Sequence, residues 1–281
     1  RGAHRVRAGN HVGLARGGAG VSSGAGPEVR IFAVPGIGEV VEGDKIERLI
    51  LDALDAAGLA LAEGDVVVIA SKIISKAEGR VIDLAGLTPS ARAVALAEVT
   101  GKEPSFIEAV LSESTEVSRA APNVLVVRHR LGFTSANAGL DRSNHSGPEQ
   151  TVLALPLDPE ASADAIRSGL EESLGIRMAV VVADTHGRPF RRGNVGVAIG
   201  VSGLVALIDK RGETDLYGRV LEATFIPTAD QLAGAAALVG GEATEGLPVV
   251  VIRGAPFLWG NGRAADLVRT PEEDLYRTVQ G

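Results

Sequence analysis

The sequence contains no cysteine and very few aromatic residues. Without cysteine, disulfide bonds, thiolate metal sites and cysteine nucleophiles are excluded, and a reducing compartment is favoured. We therefore expect a cytoplasmic protein. Because aromatic residues make up only 3% of the chain, small aliphatic side chains must fill the core, which is typical of helices packed against a sheet. The composition thus predicts an α/β fold.

Long apolar runs and an excess of basic residues are also missing. No run reaches the roughly 18 apolar residues that a membrane-spanning helix needs, so we predict no membrane association. The formal net charge is −7, whereas nucleic-acid-binding proteins neutralise phosphates with surplus lysine and arginine. We therefore predict no nucleic-acid partner, and any basic binding site must be local.

Glycine is abundant, and it divides the chain into a tail and a folded part. Residues 1–28 are rich in glycine and arginine and almost free of acid, which is typical of a disordered tail. From Val29 onward, apolar runs alternate with helical periodicity. Asp44 stands where a helix N-cap is expected, and Asp158, followed by proline, predicts another helix start. We predict one folded domain over residues 29–281.

The stretch VVVADTHGRPFRRG, which begins at Val180, predicts the main chemical site. Its valines indicate a buried strand that ends at Asp184 and Thr185, before a Gly-Arg-Pro turn. A carboxylate beside a hydroxyl offers hard oxygen ligands for Mg²⁺ or Mn²⁺, and Arg188 and Arg191 follow as planar groups for phosphate or carboxylate. The alternative interpretation is an aspartate that caps a turn, followed by solvated arginines.

Three further segments carry groups suited to phosphate. An apolar strand leads into Ser71 and Lys72, with Lys76 a few residues later. These lysines either hold phosphates as point charges or are solvated at an exposed edge. The glycine-rich turn at residues 35–38 is not a P-loop, because the lysine comes one place late without a following Ser or Thr. Its backbone amides can still bind a nucleotide, and a second glycine-rich turn at residues 240–246 can close over one.

Two other candidate groups are ambiguous from the sequence. Asp141 lies in a loop of glycine, asparagine and serine, where a lone carboxylate is either an Asx-turn acceptor or a metal ligand. Taken alone, the Asx turn is favoured. His186 lies close to Asp184, but the histidines lack the spacing of metal ligands, and a surface position is favoured for His186.

Six motifs occur in order along the chain. They are PGIG at 35–38, SKIISKAEGR at 71–80, ANAGLDRSN at 136–144, DTHGRPFRRG at 184–193, DLYG at 215–218 and GGEATEGLPVVVIRG at 240–254. Together they resemble the γ-glutamyl ligase family of deazaflavin coenzyme F420 biosynthesis. The resemblance implies two intertwined lobes with mixed sheets and flanking helices, and usually a homodimer. It also implies addition of L-glutamate to the lactyl carboxylate of coenzyme F420-0, driven by GTP and a divalent cation, with further γ-linked glutamates in many members.

The resemblance implies roles for individual residues. Asp141 and Asp184 are expected to bind one metal ion, and Thr185 with Glu242 a second, with Glu245 as the alternative to Glu242. Both ions are Mg²⁺ or Mn²⁺, and K⁺ is a candidate further ion. The expected catalytic group is Asp141, Asp184, Arg188 and Arg191. The expected nucleotide contacts are Val34, Pro35, Gly36, Ile37, Ser71, Lys72, Lys76, Asn144, Gly240, Gly241, Ala243, Thr244, Glu245 and Gly246.

The expected small-molecule partners are coenzyme F420-0, GTP and L-glutamate. Bacterial relatives often join this domain to a nitroreductase-like flavin domain, so a fused or associated flavin domain is a candidate partner. Either the chain is a single-domain ligase or a C-terminal part has been removed. Two alternative functions stay open: a ligase of the same design acting on another carboxylate, and a non-catalytic nucleotide-binding protein. The presence of both predicted metal-binding aspartates favours an enzyme.

Overall fold

Twelve β-strands and six α-helices make up the described part of the chain. The structure, a computed structural model, describes residues 28–142, 150–241, 243–270 and 272–274. No helix among these residues is long and apolar enough to cross a membrane. The strands are β1 Arg30–Ala33, β2 Val66–Ala70, β3 Val81–Asp83, β4 Ser114–Ala121, β5 Val124–His129, β6 Thr134–Ala136, β7 Thr151–Leu153, β8 Ala179–Arg188, β9 Arg191–Ser202, β10 Ile208–Asp209, β11 Phe225–Ile226 and β12 Val249–Arg253. The helices are α1 Ile46–Ala56, α2 Ser71–Ala77, α3 Ala91–Thr100, α4 Pro104–Ser112, α5 Pro159–Leu174 and α6 Thr228–Gly240.

A five-stranded sheet in the order β1-β12-β2-β8-β9 forms the main layer. Strands β2 and β8 are parallel, with Val66 opposite Ala179 and Ala70 opposite Ala183, and the other neighbours are antiparallel. Helices α1, α2 and α5 pack on one face and α6 on the other. Because both faces are covered, the run Val66–Ile69 is buried throughout instead of alternating. The predicted α/β class is confirmed.

A second core lies between helices α3 and α4 and the sheet β4-β5-β6. Phe106, Ile107 and Val110 of α4 contribute to it together with Leu125 and Val127 of β5. The sequence does not predict strand β4, because the strand is mostly polar, contains no continuous apolar run and has no fully buried residue.

The two predicted helix starts have different outcomes. Asp158 caps α5 as predicted, and its carboxylate accepts a hydrogen bond of 3.0 Å from the backbone N–H of Ala161. The Asp44 prediction is wrong, since Lys45 occupies the N-cap position of α1. The Asp44 carboxylate instead accepts a hydrogen bond of 2.8 Å from the N–H of Val41 and closes the preceding turn.

The strand predicted to end at Asp184 continues to Arg188. It forms a hairpin with β9, in which Asp184 lies opposite Val197. The neighbouring strand β2 ends at Ala70, opposite Ala183. Beyond that point the hairpin has no partner on the β2 side within the central sheet, so its residues need not be apolar. The polar sequence that follows Ala183 therefore continues the strand, and the predicted strand end at Asp184 is wrong.

Candidate active site

A cavity of about 580 Å³ lies where β2 ends and the β8–β9 hairpin extends past it. Most of its wall is provided by helices α2 and α6, the hairpin, and residues 240, 241 and 243–248, together with residues 153–155. Ligands of open α/β sheets commonly bind at the carboxyl ends of parallel strands, which is the position of this cavity. The predicted site residues that line it are Ile37, Ser71, Lys72, Lys76, Asp141, Asp184, Thr185, Gly240, Gly241, Ala243, Thr244, Glu245 and Gly246.

Helix α2 provides the basic groups of the cavity. It begins at Ser71, directly after β2, so the chain passes from strand to helix without a loop. Lys72 and Lys76 are one turn apart and therefore lie on neighbouring positions of one helix face. Both line the cavity. The lysines thus belong to a concave wall and not to an open sheet edge.

The carboxylate of Asp141 reaches the same wall from a distant part of the chain. The backbone of Asp141 pairs with Leu153 through two hydrogen bonds of 3.0 and 2.8 Å. Its Oδ2 lies 2.6 Å from Nζ of Lys72. The side chains of this ion pair are 30% and 34% exposed. Asp141 therefore takes part in a long-range contact at the cavity, in addition to any local role in its loop.

Asp184 is held by two other side chains. Its Oδ1 lies 3.5 Å from the Ser71 hydroxyl, and its Oδ2 lies 3.1 Å from Nε2 of His186. The side chain of His186 is only 12% exposed. The favoured surface position for His186 is therefore wrong. The sequence signal that was available is the two-residue spacing, which places both side chains on one face of a strand.

The glycine-rich turn after α6 forms one side of the cavity. Gly241 has a φ of +73°, and a Cβ there would overlap the carboxyl group of Glu245. Glu245 accepts a hydrogen bond of 2.8 Å from the backbone N–H of Ala243. The turn is therefore closed on itself by Glu245. Glu242 and Asn144, two predicted site residues, lie outside the described residues.

Comparisons with known proteins identify the family of this chain. The family model of F420-0:γ-glutamyl ligase matches residues 36–254. The chain belongs to the F420-0:γ-glutamyl ligase family. It is 47% identical over 251 residues to the coenzyme F420:L-glutamate ligase of Methanothermobacter thermautotrophicus, covering 89% of this chain and 99% of that protein. It is 46% identical over 218 residues to the ligase of the same name from Methanocaldococcus jannaschii, covering 77% and 86%. The protein is therefore a ligase.

Some of the predicted residues of this ligase do not line the cavity. Of the turn at 34–37, only Ile37 does so, whereas Val34 is fully buried in the core and its N–H donates to the carbonyl of Val249. Arg188 and Arg191 lie opposite each other at the tip of the hairpin, outside the lining. The roles predicted for these residues stay predictions.

Three of the four metal ligands predicted for this ligase, Asp141, Asp184 and Thr185, lie among the described residues. Among the described residues, no group of three or more His, Asp or Glu side chains is arranged to hold a metal ion. Asp141, Asp184 and Thr185 all line the cavity, and Thr185 adds a hydroxyl oxygen. Glu242, the remaining predicted ligand, lies outside the described part of the chain.

Close packing of small residues shapes the cavity of this ligase and was missed in the sequence. A Cβ on Gly196 of β9 would overlap the backbone of Ala233 in α6. Ala233, Ala236 and Ala237 line the cavity on the helix side. Glycine and alanine thus bring α6 close to the hairpin, and any larger residue at Gly196 would push the helix away.

A buried carboxylate, Glu113, lies behind the cavity wall of this ligase. It accepts hydrogen bonds from Nη2 of Arg80 at 2.6 Å and from Nε of Arg130 at 2.8 Å. The same arginines donate to the carbonyls of Leu155 and Pro156 and so fix this part of the wall. Burial raises the pKa of Glu113, but the hydrogen bonds from Arg130 and Arg80 outweigh burial, and the pKa is lowered overall.

His129 completes this buried group and is neutral at physiological pH. It is fully buried, and its Nδ1 accepts a hydrogen bond of 3.0 Å from the N–H of Leu131. Its Nε2 lies 3.6 Å from Oε2 of Glu113. Burial, assisted by the charge of Arg130, lowers the pKa of His129 to about 4. Neither His129 nor Glu113 could be assigned a role from sequence, because their contacts join separate strands and loops.

Proposed function

We propose that this ligase adds L-glutamate to the lactyl carboxylate of coenzyme F420-0, with GTP as the energy source and a divalent cation bound. Relatives that are 43–47% identical carry the name coenzyme F420:L-glutamate ligase. The observation that supports the chemistry best is the meeting of Lys72, Lys76, Asp141 and Asp184 in one cavity. Addition of further γ-linked glutamates to the product is part of the same proposal.

Amide formation from a carboxylate requires a better leaving group than oxide. In the proposed reaction a carboxylate oxygen of F420-0 attacks the γ-phosphorus of GTP, the bond to the β-phosphate oxygen breaks, and GDP leaves. The amine of glutamate then attacks the acyl carbon, loses a proton, and expels phosphate. The first step brings two anions together, so positive charge in the site must offset their repulsion.

Lys72 and Lys76 supply part of that charge. Their Nζ groups lie on adjacent turns of α2 and line the cavity. An ammonium group acts on phosphate as a compact point charge with three donors. We propose that these lysines hold the triphosphate, while the backbone of the turn at 240–246 lies along the nucleotide. That the base is guanine is proposed from the resemblance to the family.

We propose that oxygen donors of the cavity bind a divalent cation. Asp141 and Asp184 contribute carboxylates and Thr185 a hydroxyl, all hard oxygen ligands of the type that Mg²⁺ and Mn²⁺ prefer. Glu242, or Glu245 in its place, is the proposed further ligand. A cation held there would act as a Lewis acid towards the phosphate oxygens. Arg188 and Arg191 are proposed to stabilise the growing negative charge.

We also propose that the ligase is a homodimer. Two segments carry large apolar side chains that face solvent in the single chain. Phe190, at the turn between β8 and β9, is 97% exposed. Leu216 and Tyr217, between β10 and β11, are 99% and 88% exposed. Such residues at the tips of extended segments are typical of surfaces that pair with another chain. Light scattering should give twice the chain mass, and a monomer at micromolar concentration would contradict this part of the proposal.

Mass analysis of the products tests the proposed function. The protein is incubated with F420-0, GTP, Mn²⁺ and L-glutamate, with parallel reactions that omit one component each. We expect one or more glutamyl residues on F420-0, GDP as the other product, and no product without nucleotide or metal. Ligation to a different carboxylate only would support the related-ligase alternative. Nucleotide binding without any ligation would support a non-catalytic protein.

A further inference from the structure

His186 reaches the candidate active site only through Asp184. Asp184 lines the large cavity, whereas His186 lines a second cavity of about 290 Å³ and is not among the residues of the first. The two side chains meet at 3.1 Å, between Nε2 and Oδ2. A bound ligand in the large cavity would therefore contact the carboxylate and not the imidazole.

The strand sets the relative position of the two side chains. Residues two apart project from the same face of a strand. Asp184 is paired with Val197 and His186 with Val195 on the adjacent strand, so the backbone at both positions is fixed by the ladder. The contact is thus built into the hairpin and does not depend on a flexible loop.

The ring of His186 is held from the other side by aromatic packing. It lies 4.8 Å from the ring of Phe133, at an interplanar angle of 46°. Phe133 in turn stacks on the fully buried His129, at 5.0 Å and 6°. Aromatic pairs at these distances hold each other's orientation. The imidazole is therefore fixed on both its polar and its apolar side.

We propose that His186 is a positioning residue that orients the carboxylate of Asp184 by donating its Nε2–H to Oδ2. This inference rests on the proposed function, in which Asp184 is a metal ligand. A carboxylate has about four acceptor sites, and the contacts with His186 and Ser71 direct its orientation while further sites serve the ligand. Partners of this kind typically change metal affinity 10- to 100-fold when removed.

Three substitutions distinguish the effect of the Nε2–H donor from the effect of the aromatic ring. His186→Gln places an amide N–H at the same number of bonds from Cα as Nε2 and removes the ring. His186→Phe keeps an aromatic ring against Phe133 and removes the donor. His186→Asn is the matched control, because its amide N–H is one bond closer to Cα, at the position of Nδ1, whereas the contact with Asp184 is made by Nε2.

The first readout is Mn²⁺ affinity without substrates, measured by electron paramagnetic resonance. We expect His186→Phe and His186→Asn to weaken Mn²⁺ binding by roughly tenfold or more, and His186→Gln to remain within about threefold of wild type. If Phe preserves the affinity and Gln loses it, the ring and not the donor matters, and the proposal is overturned. Equal affinities in all variants overturn it as well.

The second readout does not involve metal. A double-mutant cycle combines His186→Phe with Asp184→Ala, which removes the acceptor, and measures the equilibrium constant of unfolding in the metal-free protein. We expect a coupling on the order of tenfold or more between the two sites, as for one hydrogen bond to a charged group. Additive effects overturn the proposal. If wild type fails to bind Mn²⁺, the proposed metal site is wrong, and this cycle alone decides whether His186 orients Asp184.

Discussion

Two groups of charged residues lie close to one another in this ligase, and they differ in how far their side chains are exposed to solvent. Asp141 pairs with Lys72 at the cavity surface, where both side chains are about one third exposed. Glu113 accepts hydrogen bonds from two arginines, and its side chain is only 9% exposed. Residue type does not distinguish a carboxylate that lines the cavity from a buried structural one. The two kinds differ in their exposure to the cavity and in the number of hydrogen-bond donors that are held against the carboxylate.

The largest expected effect is the loss of activity on neutralising a cavity carboxylate. Asp184→Asn or Asp141→Asn should lower kcat/KM on the order of 10³-fold, because each exchanges an anionic ligand for a neutral one. The melting temperature should change little, since the side chains are partly exposed. Turnover at saturating Mn²⁺ checks the expected loss of activity, and thermal unfolding checks that the melting temperature is nearly unchanged. Wild-type turnover in either variant would reject the assignment of that residue.

The opposite pattern is expected at Glu113. Glu113→Leu leaves the guanidinium groups of Arg80 and Arg130 without their shared acceptor and should lower the free energy of unfolding by about 3 kcal/mol. Per folded molecule, kcat should fall less than tenfold. Denaturant unfolding and an activity assay on the folded fraction separate the two effects. A stable but inactive Glu113→Leu protein would place Glu113 in the catalytic machinery and remove the contrast drawn above.

His129 adds a pH dependence to the buried group. Its pKa is about 4 in the folded protein and about 6.5 in an unfolded chain, so the unfolded state takes up the proton first. The contribution to stability is complete above pH 6.5 and decreases as the pH falls towards 4, where the loss reaches about 3 kcal/mol.

Replacing the histidine isolates this contribution. His129→Phe keeps an aromatic ring for stacking on Phe133 and cannot titrate, so its free energy of unfolding should change less between pH 7 and pH 4 than that of wild type. Urea unfolding at several pH values gives the difference. Parallel curves for the two proteins would show that His129 does not titrate in this range.

The smallest expected effects concern the lysines of α2. Lys72→Ala or Lys76→Ala should raise the nucleotide KM, lower kcat, or do both, by roughly 1.5–3 kcal/mol in total. The KM for glutamate should change much less, and the preference for GTP over ATP should survive, because hydrogen bonds to the base edge distinguish guanine. Lys45→Ala is the control, since Lys45 is exposed and outside the cavity lining. Normal nucleotide binding in both lysine variants would move the triphosphate elsewhere.

The sequence predicts well what depends on local pattern. The buried valine runs locate β2, β8 and β12, and Asp158 locates the start of α5. Placing Ser71 and Lys72 at the end of a strand also brings them to the cavity, because β2 is parallel to β8 and ends opposite Ala183, directly before Asp184. These predictions succeed because sheet geometry gathers the carboxyl ends of parallel strands.

The sequence fails where distant segments decide the outcome. The predicted strand end at Asp184 is wrong, because nothing local shows that β9 pairs with the polar half of β8. The surface position favoured for His186 is wrong, because the ring of Phe133 that packs against it comes from the distant connection between β5 and β6. Glu113 depends on Arg80 and Arg130 from two separate segments. Such contacts follow from topology and not from periodicity.

Transfer of oxygen from F420-0 to phosphate tests the central claim most directly. F420-0 labelled with ¹⁸O in its lactyl carboxylate is incubated with the ligase, GTP, Mn²⁺ and L-glutamate, and the released phosphate is examined by mass spectrometry. If the carboxylate is activated as an acyl phosphate, each glutamyl product from the first addition is accompanied by one phosphate that carries one ¹⁸O. Unlabelled phosphate beside glutamylated F420 would contradict this mechanism.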